Sequence, residues 1–404
     1  MRDLFGSDSG DGSTGETSHA SIIAATCDTA GALDDDSPAS VMNRCETGRG
    51  TLPERHGALP YRWQPDDRGV AVVAKSDGKL DRFDRYVPAE PWLNPWQSDA
   101  TYAADHDLLV TLLSVAVGTE QRSGIVAGAA DVWAAEELRR AGFDPDEVWP
   151  RRTQPRVMPR DVRNFVEGGA LTKKLRAEVE QRYHVPKAKS ALPSEAHVTG
   201  SAYTKQADVV VASWSAGVEL LVSTKTMLSS YQKNLRNRFE EGYGDAKNLR
   251  GRHPLAALGF LFIVGADVPP KSLEFAIDML RKLVREPDVY DCACLIVLEG
   301  GEGIIEEDGE ERGPEDEPSA LLPLSPAGED DESVDGESTP PVTPPIEVPP
   351  PSTSVSLQQD RVPHDLSADH FFEVLIGCSL DRMPVAIYPE VRRRFQAATA
   401  PDEN

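Results

Sequence analysis

Ala207 to Lys225, ADVVVASWSAGVELLVSTK, is the stretch whose reading decides the architecture. Asp208 opens a β-branched run, Val209-Val210-Val211-Ala212, the turn Trp214-Ser215-Ala216-Gly217 follows, and Val218 to Lys225 forms a second apolar run. Two β-rich runs about a Gly-containing turn predict a β-hairpin. With the turn centred near Ser215, antiparallel pairing sets Asp208 across from about Ser223, with Lys225 just beyond. A carboxylate and an ammonium meeting at one end of a buried sheet are costly unless a metal or a substrate compensates them. The hairpin is therefore where function is expected as well as fold.

Outward from the hairpin, apolar spacing predicts helices over Asp105–Val117, Gly128–Ala141 (stopped at Gly142) and Arg160–Tyr183, the last broken at Gly168-Gly169. Downstream, Ser229–Tyr243 reads as a helix ended by Gly244, and Leu255–Gly265 as a short helix running into a buried strand. Ser272–Arg285 reads as an amphipathic helix and Cys292–Glu299 as a buried strand. Helix, hairpin, helix, strand, helix, strand describes an α/β fold with a mixed central β-sheet flanked by helices. The segment 365–382 has a helix start at Ser367 and apolar spacing suited to docking back on the body.

Charge and composition divide the 404 residues unevenly. Residues 1–58 are rich in Ser, Gly, Asp and Thr without periodicity, and 301–362 are acidic and then proline-rich; both are expected to be disordered, the second as an extended linker. Between them lie a helical part, 59–190, and an α/β core, 191–300; residues 363–404 hold the docking helix and a short tail. The net charge of −25 argues at first against a nucleic-acid partner, but residues 1–59 and 301–337 carry 20 of those charges. Five scattered cysteines without CxxC spacing indicate neither a disulfide framework nor a zinc site. With no basic-then-apolar leader and no run near the ~20 apolar residues of a membrane span, the expectation is a cytoplasmic protein with no membrane partner.

Phosphodiester hydrolysis needs a hard divalent cation, held by one or two carboxylates, and a positive charge near the developing anion. Asp208 offers a ligand and Lys225 the cation. Four acids, at three places in the chain, are candidates for a second carboxylate. Glu219 shares the strand parity of Ser223 and Lys225 but lies about 20 Å from Lys225 along an extended strand, too far to share a metal with Asp208. Glu240 and Glu241, fifteen and sixteen residues after Lys225, sit on the next helix, and Glu195 approaches from before the hairpin. Glu240 is favoured, then Glu195.

Asp208, two strands, then Ser223-Thr224-Lys225 resembles the PD-(D/E)XK nuclease superfamily, in which an aspartate opens the second core strand and an acid-x-lysine sits on the third. Ala207 stands where proline often does, and Ser223 where the acid usually does. A subset of type II restriction endonucleases is similar in carrying S-x-K, with the missing glutamate on the following helix; the spacing leaves Glu240 or Glu241 open for that role. The resemblance spans Glu195 to Gly265. It implies a restriction-endonuclease-like core, Mg²⁺ or Mn²⁺ held by Asp208 and Glu240, and DNA hydrolysis in restriction or phage defence. A homodimer would follow if both strands are cut.

Lys225 to Arg252 supports a nucleic-acid partner independently, with seven Lys/Arg against three acids and Tyr231, Phe239 and Tyr243 interleaved. Lys233, Arg236, Lys247, Arg250 and Arg252 are the expected phosphate contacts. Two other classes stay open: an inactive nucleic-acid binder on the same fold, with Ser223 marking a degenerated site, and an interaction subunit that uses 301–362 as its contact.

Overall fold

The hairpin forms as two strands, β4 (Val209–Ser213) and β5 (Gly217–Met227), paired antiparallel with Val209 opposite Val222. One register step back sets Asp208 opposite Ser223. The computed structural model describes residues 80–88, 93–119, 123–152, 154–181, 195–300, 351 and 354–399, all within a unit spanning 61–404. The segments 1–58 and 301–350, expected to be disordered, lie outside the described residues.

Six strands make a mixed sheet in the order β1-β4-β5-β6-β7-β8. β1 (Val148–Trp149) pairs antiparallel with β4; β6 (Ala257–Gly265) is parallel to β5, and β7 (Cys292–Glu299) is parallel to β6. β8 (Ser356–Leu357) closes the far edge antiparallel to β7. A separate two-stranded sheet, β2 (Ala196–Thr199) with β3 (Thr204–Ala207), precedes the hairpin, so Asp208 is the single residue between two sheets.

Alternation divides the core in two. Leu220, Val222, Leu261, Ile263, Cys294 and Ile296 face one layer, made by α1 (His106–Thr119), α2 (Ser123–Ala141), α7 (Ala368–Arg382) and α8 (Pro389–Thr399). Leu221, Leu258, Phe260, Phe262, Leu295 and Val297 face the other, made by α5 (Tyr231–Arg252) and α6 (Pro270–Arg285). Each fully buried Leu or Phe stabilises by about 1.5–3 kcal/mol relative to exposure. Two shorter helices, α3 (Arg160–Glu167) and α4 (Lys173–Gln181), stand on either side of the Gly168-Gly169 break. Ser367 caps α7 by accepting the His370 N–H at 3.3 Å.

Three expectations change. The helix anticipated to stop at Gly244 runs on to Arg252, because Ala246 and Leu249 are buried against the sheet and Asn248 is tied to the loop before β3. Leu255–Gly265 has no helical part: Ala257 to Gly265 is all strand, buried on both faces, where periodicity cannot separate helix from strand. The linker expected to run to 362 ends earlier, since Ser356–Leu357 pairs with β7 and Gln359–Arg361 forms a 3₁₀ turn. Phe371 of α7 packs so closely on β6 that a Cβ at Gly259 would lie 2.6 Å from its ring.

Candidate functional site

The site lies where β4 begins beside the later half of β5. Asp208 Oδ2 accepts the Thr224 N–H at 2.8 Å, which anchors the carboxylate across the hairpin. Thr224 faces the α2 layer, whereas Ser223 and Lys225 face α5, following the alternation of β5. Helix α5 comes close at this level: a Cβ at Gly242 would meet the Phe260 ring at 2.9 Å. That approach carries the neighbouring acids of α5 to the sheet. Glu241 Oε2 lies 3.6 Å from Lys225 Nζ, and Asp245 Oδ2 lies 4.0 Å from it. Asp245, 4% exposed, also sits 2.8 Å from Lys205 Nζ of β3 and accepts from the Tyr203 hydroxyl at 3.2 Å.

The sequence-derived residues therefore separate. Asp208 and Lys225 belong to one site. Glu240 is exposed on the solvent side of α5, and the acid that meets Lys225 from that helix is Glu241, one residue on. Glu195 stands one step beyond the Ala196–Ala207 pair, level with Asp208 in register, and its carboxylate is 3.9 Å from His197 Nε2. Glu219 leaves the face that parity suggested. Val211 pairs with Leu220 but Ala212 pairs with Val218, so a bulge leaves Glu219 without an opposite residue. Glu219 is buried, accepts from Ser213 Oγ at 2.5 Å and from the Tyr388 hydroxyl, and serves the far end of the hairpin.

Among the expected phosphate contacts, Lys233, Arg236 and Arg252 are exposed. Lys247 donates to the Pro287 carbonyl at 2.6 Å and stands over the Tyr243 ring. Arg250 is corrected outright: it is buried and donates to Asp291 at 2.7 Å, so it cannot reach a ligand at the surface.

Asp131 of α2 escaped the sequence reading. Its signal was an acid inside an otherwise apolar helical turn, Ala129-Ala130-Asp131-Val132-Trp133. Asp131 approaches Thr224 and Asp208 from the opposite layer, and its buried Oδ1 has no hydrogen-bond partner. Burial, reinforced by the Asp208 charge, pushes its carboxyl well above the usual carboxylate range. Burial also raises Asp208, against the Thr224 N–H and the Lys225 and Lys205 charges, which favour ionisation. Asp245 escaped as well; its signal was the i, i+4 spacing from Glu241.

Chemically the site is a set of hard oxygen donors flanked by two ammonium groups. Among the described residues, no three His, Cys, Asp or Glu side chains stand together as a ligand group. A hard dication that keeps most of its water needs only one or two carboxylates. Asp208 and Asp131, which both interact with Thr224, are the two carboxylates that could hold one, and one Asp131 oxygen is buried without a hydrogen-bond partner.

A cavity of about 270 Å³ lies elsewhere, lined by His106, Leu109, Ile296, His364 and Asp369, and none of the sequence-derived residues borders it. Among the described residues no helix is long and apolar enough to cross a membrane. No family model, curated protein or solved structure matches this chain.

Proposed function

We propose that this chain is a metal-dependent endonuclease that hydrolyses phosphodiester bonds in DNA, acting in the cytoplasm in restriction or phage defence. The observation that carries the reading is the junction at Asp208. It heads the second strand of a mixed sheet, opposite Ser223 on the third, with Lys225 beside it and Asp131, one of whose buried oxygens has no hydrogen-bond partner, approaching from the other layer. What supports the reading is that Asp208 and Lys225 come together on the adjacent strands of the hairpin.

In this reading Asp208 and Asp131 would hold a divalent cation, Mg²⁺ or Mn²⁺, whose chemistry is to polarise a phosphoryl oxygen and lower the pKa of a water. Lys225 supplies positive charge to the scissile phosphate, and Glu241 and Asp245 orient its ammonium in the absence of substrate. Lys205 adds a second cation on the β3 side. Lys233, Arg236 and Arg252, on the exposed side of α5, are placed to follow the DNA backbone. Cutting both strands with one site per chain calls for a homodimer.

Incubation of plasmid DNA with the protein and Mg²⁺ or Mn²⁺ should give nicked and linear products. Asp208→Asn and Lys225→Ala should each lower the rate by at least about 100-fold. Variants that cut like the parent would refute this site. A second reading, a non-catalytic nucleic-acid binder, draws on one feature: Lys225 lies between Glu241 and Asp245, and Ser223 leaves its own strand without the usual acid. Salt-sensitive DNA binding without product in either metal would select it.

A further inference from the structure

Tyr290 lies just before β7, with its ring 5.0 Å from Phe260, the residue that pairs with Ser223 across β5 and β6. The side chain is 3% exposed, and its hydroxyl makes no hydrogen bond of good geometry, with only Ser223 placed near enough to bear on it as a side-chain partner. Native cores rarely leave a buried hydroxyl unsatisfied, because the group has given up water and received nothing in exchange. Packing does not require it: the ring lies against Phe260 within the α5-side core, and phenylalanine would fill the same space. An oxygen kept at such a position calls for a ligand that completes it.

The neighbours say which ligand. Ser223 bears on the Tyr290 hydroxyl as a weak side-chain hydrogen-bond neighbour, and Asp245 and Asp208 are close enough to act on it electrostatically. Burial holds the phenol firmly protonated, so it is available as a donor. A neutral donor here has an advantage over a carboxylate. It can meet an anionic oxygen beside Asp208 and Asp245 without adding a further like charge.

We propose that the Tyr290 hydroxyl, together with Ser223, forms a neutral donor subsite at the floor of the Asp208–Lys225 site, donating hydrogen bonds to a non-bridging oxygen of a bound phosphodiester. This rests on the phosphodiester reading of the site. Lys225 and Lys205 neutralise the charge of the phosphate, while Tyr290 and Ser223 fix its position. The serine found in place of an acid is then part of a working site, and need not be a sign of decay.

The test compares the full chain with Tyr290→Phe. Binding of a short fluorescent DNA duplex is measured with Ca²⁺ in place of Mg²⁺, cleavage with Mg²⁺, and thermal unfolding without DNA. The variant should unfold at the same temperature or higher, bind or cut 10- to 100-fold less well, and keep the parent's salt dependence, since no charge is lost. Affinity and cleavage within twofold of the parent would overturn the subsite. So would a lowered unfolding temperature, which would place the hydroxyl's partner inside the fold. A parent that binds DNA without cutting it sinks the hydrolytic reading and leaves Tyr290 to be judged on affinity. A parent that neither binds nor cuts overturns both.

Discussion

Asp291 and Asp208 each stand one residue before a strand of the same sheet, and each accepts a main-chain N–H from the neighbouring strand at 2.8 Å, from Leu258 and Thr224 respectively. Beyond that shared device they part. Asp291 is enclosed by Arg250 of α5 and Arg382 of α7, with guanidinium-to-carboxylate distances of 2.6 to 2.8 Å. Burial works against its charge, but those hydrogen bonds outweigh it and hold the carboxyl below the usual range. Asp208 has no guanidinium; a second carboxylate, Asp131, approaches it, and burial raises both. The first acid is spent on joining α5, β7 and α7. The second is held in place but left electrostatically incomplete, as a group awaiting a cation would be.

Substitution can break or sharpen that contrast. The largest stability effect belongs to Asp291→Ala, which leaves Arg250 buried and unpaired; a loss of about 3–5 kcal/mol is expected by urea unfolding. A loss below about 1 kcal/mol would show that the arginine pair does not hold the layers together. Asp131→Asn should act in the opposite sense, raising stability by about 1 kcal/mol because it removes a carboxyl that burial, and after it the Asp208 charge, keeps from ionising as it does in the unfolded chain. The same variant should lose the Mg²⁺-induced rise in unfolding temperature expected of the parent. A metal response equal to the parent's would remove Asp131 from the ion site.

Glu147 is the intermediate case and carries the smallest effect. It has one partly exposed arginine, Arg160, at 3.2 Å, and burial raises its carboxyl to about 7. The unfolded chain releases this proton near the ordinary 4.5 while the fold retains it, so stability falls as pH rises from about 4.5 to 7. Glu147→Gln should flatten that part of the stability curve. An unchanged slope would assign the pH dependence to other carboxyls, Asp131 and Asp208 among them.

Much of the fold was legible because hydrophobic period and turn chemistry are local. Val209–Ala212 and Val218–Lys225 read as a hairpin from β-branching about Gly217, whose φ of +77° suits a residue without a Cβ. Cys292–Glu299 was read with its observed bounds. The two-residue strand β1 was not legible, since two residues carry no period, and Gly244 misled because burial of Ala246 and Leu249 outweighs a glycine's helix penalty.

By itself, then, the sequence determined a mixed sheet flanked by helices and the pairing of Asp208 with the Ser223–Lys225 level, because register follows from a turn and a period of two. Only the tertiary structure decided which acids meet them. A single bulge turned Glu219 to the other layer, and the rotation of α5 chose Glu241 and Asp245 while leaving Glu240 in solvent. Asp131 arrived from a helix some eighty residues upstream. Such meetings depend on where a helix sits on a sheet to within one residue's rotation, and that is set by close contacts such as Gly242 on Phe260, which no local pattern records.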